Sequence, residues 1–232
     1  MKKQPKDCFV SCIVAAGGSS RRMGENKLFM EIAGIPVIAR TLIALNRSDA
    51  IDEIIVSARE TDMLAIMDLA QAFCIKKLKA VVKGGKERAE SVKAAISEIS
   101  LDCTLVAVHD GARPLVDDAV LCGAIAGAKE FGAAACGVRP KATLKQEGEN
   151  GFIAQTIDRN KSYEIQTPQV FEKSLFLRAY DAETDALVGA TDDCMLVERL
   201  GARIKITPGS YSNIKITTIE DIAIAACLLE DR

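Results

Sequence analysis

Between Gly17 and Lys27 the chain reads GGSSRRMGENK, a loop of small residues, two adjacent arginines and a terminal lysine placed directly after an apolar run. Gly17 and Gly18 let backbone N–H groups approach an anion, while Arg21, Arg22 and Lys27 supply the charge that a polyphosphate needs. It is not a Walker loop, because Gly24 is followed by Glu25 rather than by Lys-Ser/Thr, and it does not fit G-x-G-x-x-G. Three further stretches carry related chemistry. In GGKERAES, the pair Gly84 and Gly85 runs into a helix whose first turn offers N–H groups to a ligand. In HDGARP, Asp110 and Arg113 end a strongly apolar stretch, where a charge needs a partner, a metal or a ligand. In NIKIT, Lys215 interrupts a β-branched strand, a position that a lysine also occupies to block edge-to-edge aggregation. His109 reads as a packed strand-end residue rather than a catalyst. Singly, each stretch is also an ordinary turn or a solvated face. Together they bring several cations and one carboxylate to one rim, with no Ser/His or Cys/His nucleophile beside them. That set suits displacement at phosphorus, where positioning and charge stabilisation do nearly all the work.

The elements that must position these residues are legible as short apolar, β-branched runs alternating with segments of helical period, the pattern of an α/β fold with a parallel sheet flanked by helices. In open sheets of this kind ligands bind outside the carboxyl ends of the strands, which is where the four loops fall. Strands are predicted over 8–16, 52–59, 78–85, 103–114 and 132–140, with helices over 36–48, 60–73, 87–100 and within 117–130. The pattern then breaks. From Lys141 to Arg159 two Thr/Ile/Leu-containing arms flank GEN, which predicts a hairpin. Neither arm is hydrophobic enough for a central strand, so the hairpin is expected to project and to pack on something other than this chain's core. Helices over 172–182 and around 192–201, strands over 202–207 and 212–217, and a closing helix over 219–231 complete the reading. With no repeat, low-complexity tract or linker, a single domain over 1–232 is expected.

Composition narrows the function classes. A chain of 232 residues, 49% hydrophobic and 27% charged, buries a full core. A formal net charge of -2 and a pI near 5.6 argue against a duplex nucleic-acid binder and require any anion site to be focused. No stretch approaches the roughly 20 apolar residues of a membrane span. The start MKKQPKDCFVSCIVAAGG imitates a signal peptide, but its apolar run is short, is interrupted by Ser11, and leads straight into the loop and the alternating elements. A cytoplasmic protein is expected, or an organellar one without its targeting segment. Eight cysteines without a CxxC pair and a single histidine argue against structural zinc, and read as reduced, mostly core thiols.

AAGGSSRRMGENK, GGKERAESV, VHDGARP, TIDRN, TPQVF and NIKIT, in this order and over nearly the whole chain, resemble the 2-C-methyl-D-erythritol 4-phosphate cytidylyltransferase family of non-mevalonate isoprenoid synthesis. The glycine-rich loop alone marks only nucleotidyltransferases in general; the combination is specific. The resemblance implies a Rossmann-like nucleotidyltransferase fold, a homodimer joined by the projecting arm, and a Mg²⁺-dependent reaction of CTP with methylerythritol phosphate that releases pyrophosphate. By the same resemblance Arg22 and Lys27 stabilise the charge building on the triphosphate, and Arg159 and Lys215 position the acceptor phosphate. Asp110, Arg113, Thr143 and Thr167 match acceptor-site or metal-site positions, with Asp110 the metal candidate. Ala16, Gly17, Gly85 and Ser91 match the cytosine pocket. Two positions depart from the family pattern: Asn26 stands where a proline commonly precedes the lysine, and Ser212 where an aspartate often precedes Asn-Ile-Lys.

Three other readings stand beside this one. A cytidylyltransferase for another sugar-alcohol phosphate, such as ribitol 5-phosphate, shares the fold and loops, but TIDRN and the threonine of ATLK favour methylerythritol phosphate. Sugar-1-phosphate and molybdopterin nucleotidyltransferases lack the later motifs. A non-catalytic nucleotide sensor is expected to have lost Arg22, Lys27 or Asp110, and all three are present.

Overall fold

The computed structural model describes residues 8–18, 26–181, 187 and 189–230. The strands among the described residues, numbered in chain order, are β1 Val10–Ala16, β2 Glu31–Ile32, β3 Ile35–Pro36, β4 Glu53–Ala58, β5 Leu78–Lys83, β6 Leu105–Asp110, β7 Ala133–Val138, β8 Leu144–Glu147, β9 Ile153–Ile157, β10 Glu164–Glu172 and β11 Lys205–Pro208. The α-helices among the described residues are α1 Val37–Arg47, α2 Met63–Ala72, α3 Arg88–Ala95, α4 Asp118–Phe131, α5 Lys173–Tyr180, α6 Asp193–Glu198 and α7 Glu220–Glu230.

Seven strands form one sheet in the order β11-β7-β10-β6-β1-β4-β5. β1 lies parallel between β4 and β6, so the carboxyl ends of these strands and their following loops share one edge. β1, β4 and β6 are buried almost throughout, which is why they read as continuous apolar runs rather than as alternating ones. Successive residues of β1 serve opposite faces. Cys12 and Val14 pack with residues of α1, α2 and α4, and Ile13 packs with residues of α3, α5 and α6.

Besides the short β2–β3 pair, two differences from the sequence reading bear on the site, the first being a strand where none is assigned. Pro168 within TPQVF argues against a central strand, yet β10 sits between β6 and β7 and runs antiparallel to both. The sheet tolerates the proline through a register shift between Ile165 and Gln169, with a cis Thr167–Pro168 peptide inside it. Conversely, the strand expected over 212–217 is absent. Its polar groups are engaged by β10 and by the segment after β6 instead: the Ile216 amide donates to the Ala112 carbonyl at 2.8 Å, the Asn213 side-chain amide donates to the Thr167 carbonyl at 2.9 Å, and Arg113 donates to the Asn213 carbonyl at 2.6 Å. Lys215 is therefore no edge-strand guard; its loop is seated on the ends of β6 and β10.

The hairpin expected over 141–159 is present as β8 and β9, paired only with each other. Phe152 and Ile153 near its tip are 75% and 65% exposed. The arm thus carries apolar side chains away from the core of its own chain.

Candidate active site

At the carboxyl ends of β1 and β6 lies a cleft of about 190 Å³. Its small-residue wall is made by Ala15, Ala16, Gly17 and Gly18, with Ser91 beside them. A Cβ on Gly17 would stand 2.7 Å from Ser91 Oγ, so any larger residue there would have to displace that hydroxyl from its present bonds. Ser91 Oγ is held by the carbonyls of Glu87 at 3.0 Å and Gly85 at 3.3 Å. Gly85 itself does not line the cleft; it shapes the wall through Ser91. The start of α3, expected to face a ligand with its amides, is partly engaged by the chain itself in a capping box: the Glu87 side chain accepts from the Glu90 amide, and the Glu90 carboxylate accepts from the amides that precede the helix, Lys86 at 2.7 Å and Glu87 at 3.4 Å.

The charged wall consists of Lys27, Arg88, Lys215 and Asp110, the one carboxylate among the described residues lining the cleft. Asp110 Oδ2 takes Lys215 Nζ at 2.7 Å, and its Oδ1 accepts from Arg88 Nε at 3.2 Å. Behind it Arg113 Nε lies 3.7 Å from Oδ2 and has no hydrogen-bond acceptor among the described residues. Burial alone would raise the Asp110 pKa, but Arg88, Lys215 and Arg113 hold the carboxyl well below the usual range. Asp110 is thus a fixed anion that gathers three cations at one point of the rim.

The end of β6 is fixed by a chain of hydrogen bonds. The Asp110 amide donates to Thr167 Oγ1 at 3.0 Å, Thr167 Oγ1 lies 3.1 Å from His109 Nδ1, and His109 Nε2 lies 3.2 Å from the Arg113 carbonyl. A carbonyl only accepts, so Nε2 carries the proton, Nδ1 accepts, and the Thr167 hydroxyl donates. Burial pushes the His109 pKa down to about 4. His109 is therefore a neutral packing residue at pH 7. Thr167, expected at the acceptor site, is buried and spends its hydroxyl inside this chain of bonds.

The remaining residues expected at the site fall elsewhere. Thr143 and Arg159 are exposed at the two ends of the arm, neither lining the cleft, and Arg159 reaches back to the Lys141 carbonyl at 3.4 Å. Arg22 lies outside the described residues. Arg88, by contrast, was not among the residues singled out from sequence, although it stands inside GGKERAES; attention to the glycines and helix amides there passes over the cation that follows them. Among the described residues no group of three or more His, Cys, Asp or Glu could hold a metal ion.

The profile of the family described as 2-C-methyl-D-erythritol 4-phosphate cytidylyltransferase matches residues 10–231. The chain belongs to this family. Within it, the 2-C-methyl-D-erythritol 4-phosphate cytidylyltransferase of Caldanaerobacter subterraneus subsp. tengcongensis is 43% identical over 224 residues, covering 95% of this chain and 98% of that protein. The protein of the same name from Clostridium acetobutylicum is 40% identical over 221 residues, with 94% and 96% covered. The crystal structure of the Anaerococcus prevotii 4-diphosphocytidyl-2C-methyl-D-erythritol synthase superposes with a TM-score of 0.85 at 31% identity, covering 96% of both chains. The family's Rossmann-like fold is that of the mostly parallel sheet described above, with β10 as its antiparallel member.

Proposed function

We propose that the chain joins CTP and 2-C-methyl-D-erythritol 4-phosphate, giving 4-diphosphocytidyl-2-C-methyl-D-erythritol and pyrophosphate in isoprenoid precursor synthesis. The observation that carries this reading is the cleft lined by Lys27, Arg88, Lys215 and Asp110 beside the small-residue wall of Gly17 and Ser91. Family membership over residues 10–231 supplies the substrates.

The acceptor is a phosphate monoester with a second pKa of about 6, so it is largely dianionic at neutral pH and needs no general base. One of its oxygens forms the new bond to the α-phosphorus of CTP while the bond to the pyrophosphate oxygen breaks. The obstacle is repulsion between two polyanions. Lys27 and Lys215 offset the charge that accumulates as the leaving group departs, and they do so in a cleft where each charge acts more strongly than in water. Asp110 does not move a proton; held ionised by three cations, it orients Lys215 and Arg88. Arg22 belongs to the same loop as Lys27 and would add charge to the triphosphate. The backbone around Ala16, Gly17 and Gly18, with Ser91 and Gly85 behind it, would receive a base small enough for this wall.

Mg²⁺ fits a site of this composition. It keeps several waters and is usually held by one or two carboxylates together with substrate phosphates, and Asp110, whose oxygens also hold Lys215 and Arg88, is the one carboxylate among the described residues on the cleft wall. When bound, the ion would lower repulsion among the phosphate oxygens. Ser212 brings no second carboxylate from the NIKIT loop.

The exposed apolar tip of the arm supports a homodimer in which the arm of one subunit reaches the cleft of the other. Thr143 and Arg159, which do not line their own cleft, then complete the partner's acceptor site, with Arg113 and Thr167 shaping the floor beneath. The single seven-stranded sheet supports one domain with the arm inserted. All eight cysteines are free, as a reducing cytoplasm favours, and no described helix is long and apolar enough to cross a membrane.

The test is release of pyrophosphate with Mg²⁺ present. Turnover of CTP with methylerythritol phosphate should far exceed turnover with UTP or GTP, or of CTP with ribitol 5-phosphate. Comparable rates with ribitol 5-phosphate would overturn the substrate assignment.

A further inference from the structure

Arg88 is held from two sides. Its Nε reaches Asp110 Oδ1 at 3.2 Å, and its Nη2 reaches Asp193 Oδ2 at 2.7 Å, across a separation of 105 residues. Asp193 is completely buried and does not line the cleft. Its other carboxylate oxygen accepts from the Tyr180 hydroxyl. The backbone beneath it is also fixed: Gln169 Oε1 accepts from the amides of Asp193 and Cys194 at 3.0 and 3.1 Å, and Gln169 Nε2 donates to Asp192 at 2.9 Å. Gln169 belongs to β10, the strand beside β6, so the support of Asp193 is continuous with the sheet that carries Asp110.

The helices on this face of the sheet are seated by apolar packing. Burying a carboxylate and a guanidinium is costly unless the geometry is good, and replacement of such pairs by apolar residues is often neutral or stabilising. What a fixed pair does provide is location. A guanidinium held by one carboxylate pivots about it, whereas one strung between two carboxylates on different elements has a single place. A displacement of about 1 Å in a charge that faces substrate is enough to lower a rate by about 10²-fold.

We propose that Asp193, oriented by Tyr180, is a positioning residue for the nucleotide side of the cleft: it acts through Arg88, setting where that guanidinium stands beside Gly17, Ser91 and Asp110. The inference rests on the reaction proposed above. Asp193 touches neither substrate; its whole effect on turnover passes through Arg88.

The experiment is a double-mutant cycle read by steady-state kinetics for each substrate, with melting temperatures measured alongside. Asp193→Asn should lower kcat/KM for CTP by at least 10-fold while the acceptor KM stays within 2-fold. In an Arg88→Gln background, the same substitution should change kcat/KM by less than 2-fold, because the group it positions has gone. Loss of Asp193 removes one partner of a buried pair and should lower the melting temperature of the otherwise wild-type protein on either reading; what a purely structural role would not give is a loss confined to kcat/KM for CTP that vanishes with Arg88→Gln. Multiplying losses, a loss shared equally by both substrates, or no loss at all would each overturn the proposal. If Asp193→Asn does not fold, Tyr180→Phe is the milder perturbation. It should lower kcat/KM for CTP by about 2- to 5-fold in the wild-type background and have no effect with Arg88→Gln; persistence of the loss, or its absence in both backgrounds, overturns the inference. Wild-type turnover in the same assay separates the two levels, since an inactive wild-type protein refutes the reaction itself.

Discussion

The protein has one histidine, and that histidine is completely buried, so its titration can be isolated from every other group. Burial pushes the His109 pKa down to about 4, despite the acceptor at the Arg113 carbonyl and the neighbouring Asp110 charge, which favour the cation. In the unfolded chain the value returns to about 6.5. Between these values the unfolded state binds a proton that the folded state refuses. Stability is therefore full above about pH 6.5 and falls as pH drops through the window toward 4. Linkage at pH 5 gives a loss of about 2 kcal/mol relative to pH 7.5, since the folded imidazole is still neutral there and the unfolded one is almost wholly charged. With a urea dependence of roughly 2 kcal/mol per molar, the midpoint should move down by about 1 M between the two pH values. The measurement is urea denaturation of wild type and His109→Gln at both pH values. The variant should be less stable overall, because Thr167 loses its acceptor, yet its pH 7.5 to 5 difference should shrink by about 2 kcal/mol, carboxylate effects being common to both proteins. The single imidazole resonance should titrate near 4 in the native protein. An unchanged pH difference in the variant, or a native titration near 6.5, would refute the tautomer and burial argument together.

Lys27→Ala should lower kcat by at least roughly 10²-fold with folding intact, the scale for losing one group that stabilises transition-state charge; a rate within a few-fold of wild type would remove Lys27 from the chemistry. Asp110→Asn leaves Arg88, Arg113 and Lys215 facing one another, and loss of one partner from a buried charge cluster, at about 3 kcal/mol, should lower Tm by roughly 6–12 °C for a chain of this size; differential scanning calorimetry at pH 7.5 checks this, and an unchanged Tm counts against the cluster. Arg159→Ala should raise the acceptor KM while CTP binding persists, and equal loss of affinity for both substrates would show that the acceptor lies elsewhere. Because Lys27 and Arg159 are proposed to meet across the dimer, inactive Lys27→Ala and Arg159→Ala proteins should regain activity when co-refolded, as each mixed dimer contains one intact site; mixtures shown to exchange subunits yet still inactive would refute the shared site.

The alternation of buried strands and amphipathic helices was legible because each strand between helices must be apolar along its own length, as VSCIVAA and LVAVHD are, and the projecting arm was legible because LKQE and IAQTI are too polar to be central. The loops rich in glycine and basic residues were also visible, since few structural roles call for such residues directly after a buried strand. Tertiary structure decided the rest. Pro168 hides β10 from any local pattern, and only its neighbours β6 and β7 make a strand of it. NIKIT has the composition of a strand, but the Ala112 and Thr167 carbonyls and the Arg113 guanidinium draw its polar groups into a loop that aims Lys215 at Asp110. Nothing near Arg88 in sequence announces Asp193, and nothing near His109 announces Thr167. Strand and helix patterns arise from burying side chains over a few consecutive residues, so a sequence displays them. Ion pairs and proton positions depend on which distant elements the sheet sets side by side, and that is settled only when the chain has folded.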